Sequence, residues 1–384
     1  MATVGEHSTA PVKEEGDLTA EWGDEAWMRR CLVLAGQMAG KTAPNPLVGA
    51  VVVREGQLVG EGAHPGAGHP HAEVFALQAA ADQARRATLY VNLEPCNHYG
   101  RTPPCTEAIL QAGIARVVVG MVDPDERVSG QGIERLRQAG VEVTVGVAEA
   151  DCQKINEAFV HRCVYRRPFG IFKYAMTLDG KIATSTGHSQ WISGLAARTE
   201  VHRLRASCDA VIVGGNTVRR DDPLLTSHGV CDRNPCRIIM SRQLNLPETA
   251  QLWDVTPAPT QVFTQADVPP ERQQALMERG VEVIALPRLT PATVMATLYG
   301  RGYLSVLWEC GGTLAAQAIA DGSIQKIWAF VAAKVIGGQT APGPIGDLGI
   351  DHMTQAIALK SFSWHAVGSD LLLEGYLPNT LPQK

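Results

Sequence analysis

This chain has no long apolar run, no excess of positive charge and no even set of cysteines. The longest apolar stretches, such as Leu47 to Val53, are far too short to span a bilayer, so no membrane partner is expected. A net charge of −5 argues against nucleic acid, because phosphate binding wants clustered Lys and Arg. Nine cysteines, an odd number spread unevenly over 384 residues, do not read as a disulfide framework. They suit a reducing, cytoplasmic setting. Residues 1–22 carry Lys13-Glu14-Glu15 and Asp17 without an apolar segment, so they read as a disordered tail and not as a signal or transit peptide. No internal repeat stands out. No Gly-x-Gly-x-x-Gly opens a strand–turn–helix unit, which disfavours a Rossmann dinucleotide site.

What is present points to two folded α/β domains. The length exceeds one ordinary domain, and 45% hydrophobic with 19% charged residues is the balance of a packed chain. Trp27, Met28, Cys31, Leu32, Ala35 and Met38 recur at helical spacing. Val48 to Val53, Gln57 to Glu61, Leu89 to Leu93, Val117 to Met121 and Val141 to Val145 read as strands, with helices opening at His71 and Pro103-Pro104, then from Gly132 to Gln138 and from Ala148 to Arg162. Asp123-Pro124-Asp125-Glu126 reads as a surface turn. Arg166-Arg167-Pro168 is the candidate linker, giving domains 23–166 and 167–384. Beyond it, strands at Gly170 to Ala175, Ala210 to Val213, Arg237 to Met240, Gln261 to Phe263, Val281 to Ala285 and Leu304 to Glu309 alternate with helices. Lys326 to Val335, Ile357 to His365 and Asp370 to Tyr376 read as an antiparallel finish.

The chemistry is concentrated in His71-Ala72-Glu73, Pro95-Cys96 and Pro104-Cys105. One imidazole and two thiolates hold a Zn²⁺ with a fourth position open. Zinc lowers the pKa of a bound water to about 7. A His-x-Glu followed by a Pro-Cys pair is the pattern of zinc deaminases, in which the Glu moves protons and is not a ligand. Each residue alone has a duller reading: a helix-capping His, a small buried Cys. Their combination at three element ends is what points to a metal. Eight residues separate the two cysteines, where nucleic-acid deaminases typically have about two. The long polar loop between them, Asn97 to Pro104, is therefore expected to help line a substrate pocket. The rivals are a tRNA or nucleoside deaminase, which would want short cysteine spacing and a basic surface, and a zinc-stabilised scaffold, for which Glu73 would be superfluous.

Pro44-Asn45-Pro46-Leu47-Val48-Gly49, Gly60-Glu61-Gly62-Ala63-His64, His71-Ala72-Glu73, Glu94 through Cys105, and Asp123-Pro124 together resemble the RibD family of riboflavin biosynthesis. So do Lys173 through Lys181, Ser189 through Ser193, Gly215 through Thr226 and Glu309 through Leu314 in the second half. The resemblance implies a cytidine-deaminase-like N-terminal domain followed by a dihydrofolate-reductase-like C-terminal domain. It implies zinc on His71, Cys96 and Cys105, with Glu73 as proton carrier, and a phosphoribosylaminopyrimidine substrate on Asn45, His98 and Arg101. It further implies NADPH on Ala175, Trp191, Thr217, Asp221 and the segment Gly311, Gly312, Thr313 to Gln317, and substrate on Lys173, Ser189, Arg205, Leu225 and Glu309. The implied activities are hydrolytic deamination and then reduction of the ribosyl chain to ribityl, in a homo-oligomer. A narrower alternative keeps the deaminase with a degenerate reductase. From the residues alone, Trp191 reads equally as core, and Asp221-Asp222-Pro223 as a helix-ending turn with exposed carboxylates. Two departures concern phosphate recognition. Ser227-His228 stands where the family often has Arg, and Ser241-Arg242 replaces the usual Asp-Ser.

Overall fold

The computed structural model describes residues 23–100, 103–126 and 128–378; the expected tail at 1–22 lies outside them. The chain divides into two compact units. The first comprises residues up to Ala35, Val48–His64 and Gly68–Cys152; the second comprises Gly36–Leu47, Pro65–Ala67 and everything from Gln153.

In the first unit α1 (Asp24–Gly36), β1 (Gly49–Arg54), β2 (Gln57–Ala63), α2 (Ala72–Ala80), β3 (Thr88–Val91), α3 (Cys105–Gln111), β4 (Arg116–Val119), α4 (Gln131–Gln138) and β5 (Glu142–Val145) follow in order. The sheet runs β2-β1-β3-β4-β5. β1 is antiparallel to both neighbours, and β3, β4 and β5 are parallel. Ala50, Val51 and Val52 are buried on both faces, which is why this strand is an unbroken apolar run. Glycines decide where α2 sits. A Cβ on Gly60 would lie 2.2 Å from the Ala76 carbonyl oxygen, and one on Gly62 2.5 Å from Phe75 Cβ. The helix therefore lies directly on β2, and its first turn is held at the sheet.

Then follow α5 (Glu149–Ile155), α6 (Glu157–Tyr165), β6 (Phe169–Thr177), α7 (Leu195–Ser207), β7 (Ala210–Gly214), α8 (Gly215–Asp221), β8 (Cys236–Met240), β9 (Thr260–Gln265), α9 (Pro270–Met277), β10 (Glu282–Leu286), α10 (Pro291–Gly300), β11 (Ser305–Trp308), α11 (Gly312–Ala320), β12 (Lys326–Ala332), β13 (Lys360–Val367) and β14 (Asp370–Tyr376). The sheet of the second unit has nine strands in the order β10-β9-β8-β7-β11-β6-β12-β14-β13. All are parallel up to β12, and β14 and β13 close it antiparallel. Alternate residues supply two cores. Ala210, Ile212, Ile238, Val306 and Trp308 face one layer, and Val211, Val213, Ile239 and Leu307 the other.

The helix expected from Ala148 to Arg162 is instead two helices, α5 and α6, broken at Asn156. The Asn156 side chain is buried and satisfies a foreign peptide: Leu47 N–H donates to Oδ1 at 2.8 Å, and Nδ2 donates to the Leu47 carbonyl at 2.9 Å. Asn prefers such side-chain bonds to a helix interior. The first helix stops at Gly36, short of Met38.

Candidate functional site

His71 is the N-cap of α2, Cys96 follows the end of β3, and Cys105 is the first residue of α3. Their ligand atoms all lie within 4.8 Å of one another. His71 Nδ1 is 3.1 Å from Cys105 Sγ and 3.5 Å from Cys96 Sγ. Tetrahedral zinc bonds imply nitrogen–sulfur separations of about 3.6 Å, so small movements seat an ion. The Cys105 N–H donates to Cys96 Sγ at 3.3 Å, the kind of outer bond that steadies a thiolate ligand. The Cys96 thiol is pushed down by its bonds with Cys105 and His71. Cys105, sharing that proton and buried, is pushed up.

Glu73 is one turn-step inside the same helix and only 2% exposed. Its Oε2 is buried and has no hydrogen-bond partner among the described residues. Burial pushes its carboxyl up, against the pull of His71. An orphaned buried carboxylate is costly unless a ligand or ion completes it. Two thiols and an imidazole with that carboxyl beside them fit zinc. His64, unremarked as a site residue in the sequence, is also buried here. Its ring packs edge-on against His71 at 5.3 Å, and its Nδ1–H donates to the Pro70 carbonyl at 3.1 Å. Only its place in the Gly60–His64 motif signalled it.

His98 is exposed on the loop after Cys96. Arg101 lies outside the described residues. Asn45 belongs to the segment that clusters with the second unit. The expected surface turn at Asp123 is partly buried instead. Burial raises the Asp123 carboxyl to about 6.

In the second unit β11 is inserted between β6 and β7, so chain order reverses around it. Open parallel sheets bind ligands beyond their strand C-termini at such a switch point. Lys173 of β6, Arg205 of α7 and Glu309 after β11 meet there. Arg205 Nε and Nη2 donate to the two Glu309 oxygens at 2.5 and 3.0 Å, and Lys173 Nζ donates to Oε2 at 3.3 Å. Burial raises the Glu309 carboxyl, but Arg205 and then Lys173 outweigh it and hold it at about 2. Gly311 is the N-cap of α11 and has no side chain to cap it; Gly312 and Thr313 form the first turn. A Cβ on Gly312 would lie 3.0 Å from the Gly346 N, whereas one on Gly311 would meet nothing within 4 Å. That open helix end suits a cofactor phosphate.

The remaining candidates are placed variously. Ala175 is half-buried on β6, and Ser189 is half-buried in the loop before α7. Thr217 lies in α8, and Asp221 is its last residue, as the helix-ending turn required. Trp191 is 64% exposed and not core, with the Arg198 guanidinium 4.5 Å above its ring. Leu225 has a left-handed φ of 56° and a side chain sunk in the core. His228 stacks on His202 at 4.4 Å, and Arg242 is exposed at the end of β8.

Fold and sites together define a zinc-dependent deaminase joined to a nicotinamide-dependent reductase. Residues 22–121 match the cytidine and deoxycytidylate deaminase zinc-binding region, and residues 168–373 match the RibD C-terminal domain. The chain is 60% identical to the riboflavin biosynthesis protein RibD of Synechocystis, over 92% of this chain and 96% of that one. Among solved structures it is similar to Acinetobacter baumannii RibD, with a TM-score of 0.83 at 36% identity over 93% and 99% of the two chains. It is equally similar to a diaminohydroxyphosphoribosylaminopyrimidine deaminase/5-amino-6-(5-phosphoribosylamino)uracil reductase from Thermotoga maritima, with a TM-score of 0.83 at 36% identity over 92% and 98%. The chain belongs to the RibD family, and is a bifunctional deaminase and reductase of riboflavin biosynthesis that uses zinc and NADPH.

Proposed function

We propose that the first domain, residues 23–166, deaminates 2,5-diamino-6-(5-phosphoribosylamino)pyrimidin-4(3H)-one, and that the second, residues 167–384, reduces the ribosyl chain of 5-amino-6-(5-phosphoribosylamino)uracil to ribityl. The observation that carries the first assignment is the convergence of His71, Cys96 and Cys105 in the same helix-end cluster as Glu73, whose buried Oε2 has no hydrogen-bond partner among the described residues. Those three residues hold the metal. Zinc, when bound, supplies the Lewis acidity that makes hydroxide available near neutral pH. Glu73 takes the proton of the attacking water and passes protons to the ring nitrogen and to the departing amine; the water oxygen bonds to the ring carbon and stays as the carbonyl, while the carbon–nitrogen bond breaks and ammonia leaves. Asn45, His98 and Arg101 hold the pyrimidine and its phosphate.

In the second domain Lys173, Arg205 and Glu309, with Ser189 and Leu225, hold the opened ribosyl group. Ala175, Trp191, Thr217, Asp221, Gly311, Gly312 and Thr313 hold the cofactor. NADPH, when bound, supplies the hydride; these residues supply aim. The intact Lys173–Arg205–Glu309 cluster favours a working reductase over a degenerate one. We place the enzyme in a reducing compartment, the cytoplasm, a reading supported by nine cysteines with no disulfide among the described residues. We further place it in a homo-oligomer, supported by exposed Phe362 and Trp364 on the edge strand β13. The deciding experiment is a coupled assay on the diaminopyrimidine phosphate that records ammonia and NADPH oxidation together. Ammonia without NADPH oxidation would leave the deaminase alone standing.

A further inference from the structure

Glu94 is 3% exposed, and among the described residues its hydrogen bonds are all to backbone N–H groups. Its carboxylate is saturated by backbone. Gly132 and Ile133 N–H donate to Oε1 at 2.9 and 3.3 Å, and Gly130 and Asp123 N–H donate to Oε2 at 2.9 and 3.2 Å. Gly132 and Ile133 open α4, whose own N-cap, Gly130, has no side chain. Glu94 thus does from 38 residues away what an N-cap Asp or Ser does locally. The approach is backbone to backbone: a Cβ on Gly132 would lie 2.0 Å from the Pro95 carbonyl oxygen. Two residues beyond Glu94 is Cys96. At the other end of the clamped segment is Asp123, whose carboxylate accepts the Asp125 N–H at 2.8 Å and is close enough to His98 to feel its charge.

We propose that Glu94 is a positioning residue of the deaminase: by capping α4 from the metal-bearing segment, it locks residues 123–126 and 128–133 against the Cys96–His98 loop and so sets one wall of the substrate pocket. It touches neither metal nor substrate. The proposal rests on the deaminase reading above. Its test uses full-length Glu94→Gln, in which an amide NH₂ replaces one acceptor oxygen, and Gly132→Ala, which pushes the segments apart while leaving Glu94 in place. Four quantities are read: amide exchange, zinc content, the kcat and KM of ammonia release, and NADPH oxidation on the deaminated substrate as a folding control.

In Glu94→Gln the amides of Asp123, Gly130, Gly132 and Ile133 should exchange at least about tenfold faster. Zinc and NADPH oxidation should be retained, and KM should rise about tenfold with kcat within about threefold. Gly132→Ala should give the same split, and it decides the matter alone if Glu94→Gln does not fold. An unchanged KM, a fall in kcat only, or activity lost in step with zinc would overturn the positioning role. An unaltered protein that protects the four amides yet releases no ammonia overturns the deaminase reading beneath it. Unprotected amides in an active protein overturn the clamp itself.

Discussion

The two sites of this enzyme are assembled in opposite ways. In the first unit the candidate site sits on three short segments, with His71 and Cys105 at helix N-termini and Cys96 in the loop after β3. In the second, the polar cluster is gathered from β6, α7 and the end of β11, which are far apart in sequence and adjacent only because β11 enters between β6 and β7. In the first site one carboxylate oxygen, Glu73 Oε2, is buried without a hydrogen-bond partner among the described residues. The second pairs its ionisable groups with one another, which suits holding and aiming better than proton transfer. A hydrolytic step needs a free base; a hydride transfer needs geometry.

The contrast can be broken most sharply by removing the metal. Chelation should abolish ammonia release while NADPH oxidation on the deaminated substrate continues. Loss of both would show that the two units do not work separately. Next, Glu73→Gln should lower ammonia release by about 10²–10⁴-fold with zinc content unchanged. A variant that keeps its rate would remove Glu73 from the proton path.

A third experiment addresses the paired cluster. Glu309→Gln leaves Arg205 and Lys173 buried without their anion, and should destabilise the second unit by about 3–5 kcal/mol. Denaturation curves would reveal this as a lowered midpoint, and no shift would mean that the triad is solvated and slack. The smallest effect concerns pH. The Glu309 carboxyl is held at about 2 from its ordinary 4.5. Its folded pKa is depressed, so the stability it contributes is full above about 4.5 and is lost as pH falls toward about 2. His202, lowered to about 4 from 6.5 by burial and then by His228, has the same sign in a milder window. It contributes fully above 6.5 and is lost as pH falls to about 4. Melting curves at pH 7, 5 and 4 should show a decline that His202→Gln reduces.

The candidate metal cluster was legible because its signals are local: His71 and Glu73 share one helix turn, and each cysteine follows a proline. The strand–helix alternation was legible for the same reason, since apolar periodicity is written along the chain. The break at Asn156 was not, because its partner is the peptide of Leu47, distant in sequence. Nor was the partly buried segment at Asp123, which reads as a surface turn until the distant Glu94 carboxylate is seen to hold it. That the Leu225 side chain belongs to the core was not legible either, because its neighbours there come from distant strands.

By itself, the order of residues determined which groups carry chemistry and which segments are helix or strand, because those properties depend on neighbours within a few positions. Only the tertiary structure decided that Lys173, Arg205 and Glu309 share one cluster, that Glu94 caps a helix it does not belong to, and that one oxygen of Glu73 is buried without a bond among the described residues. Each of those is a matter of burial between distant segments. Away from water an ionisable group must find another part of the chain or wait for a ligand.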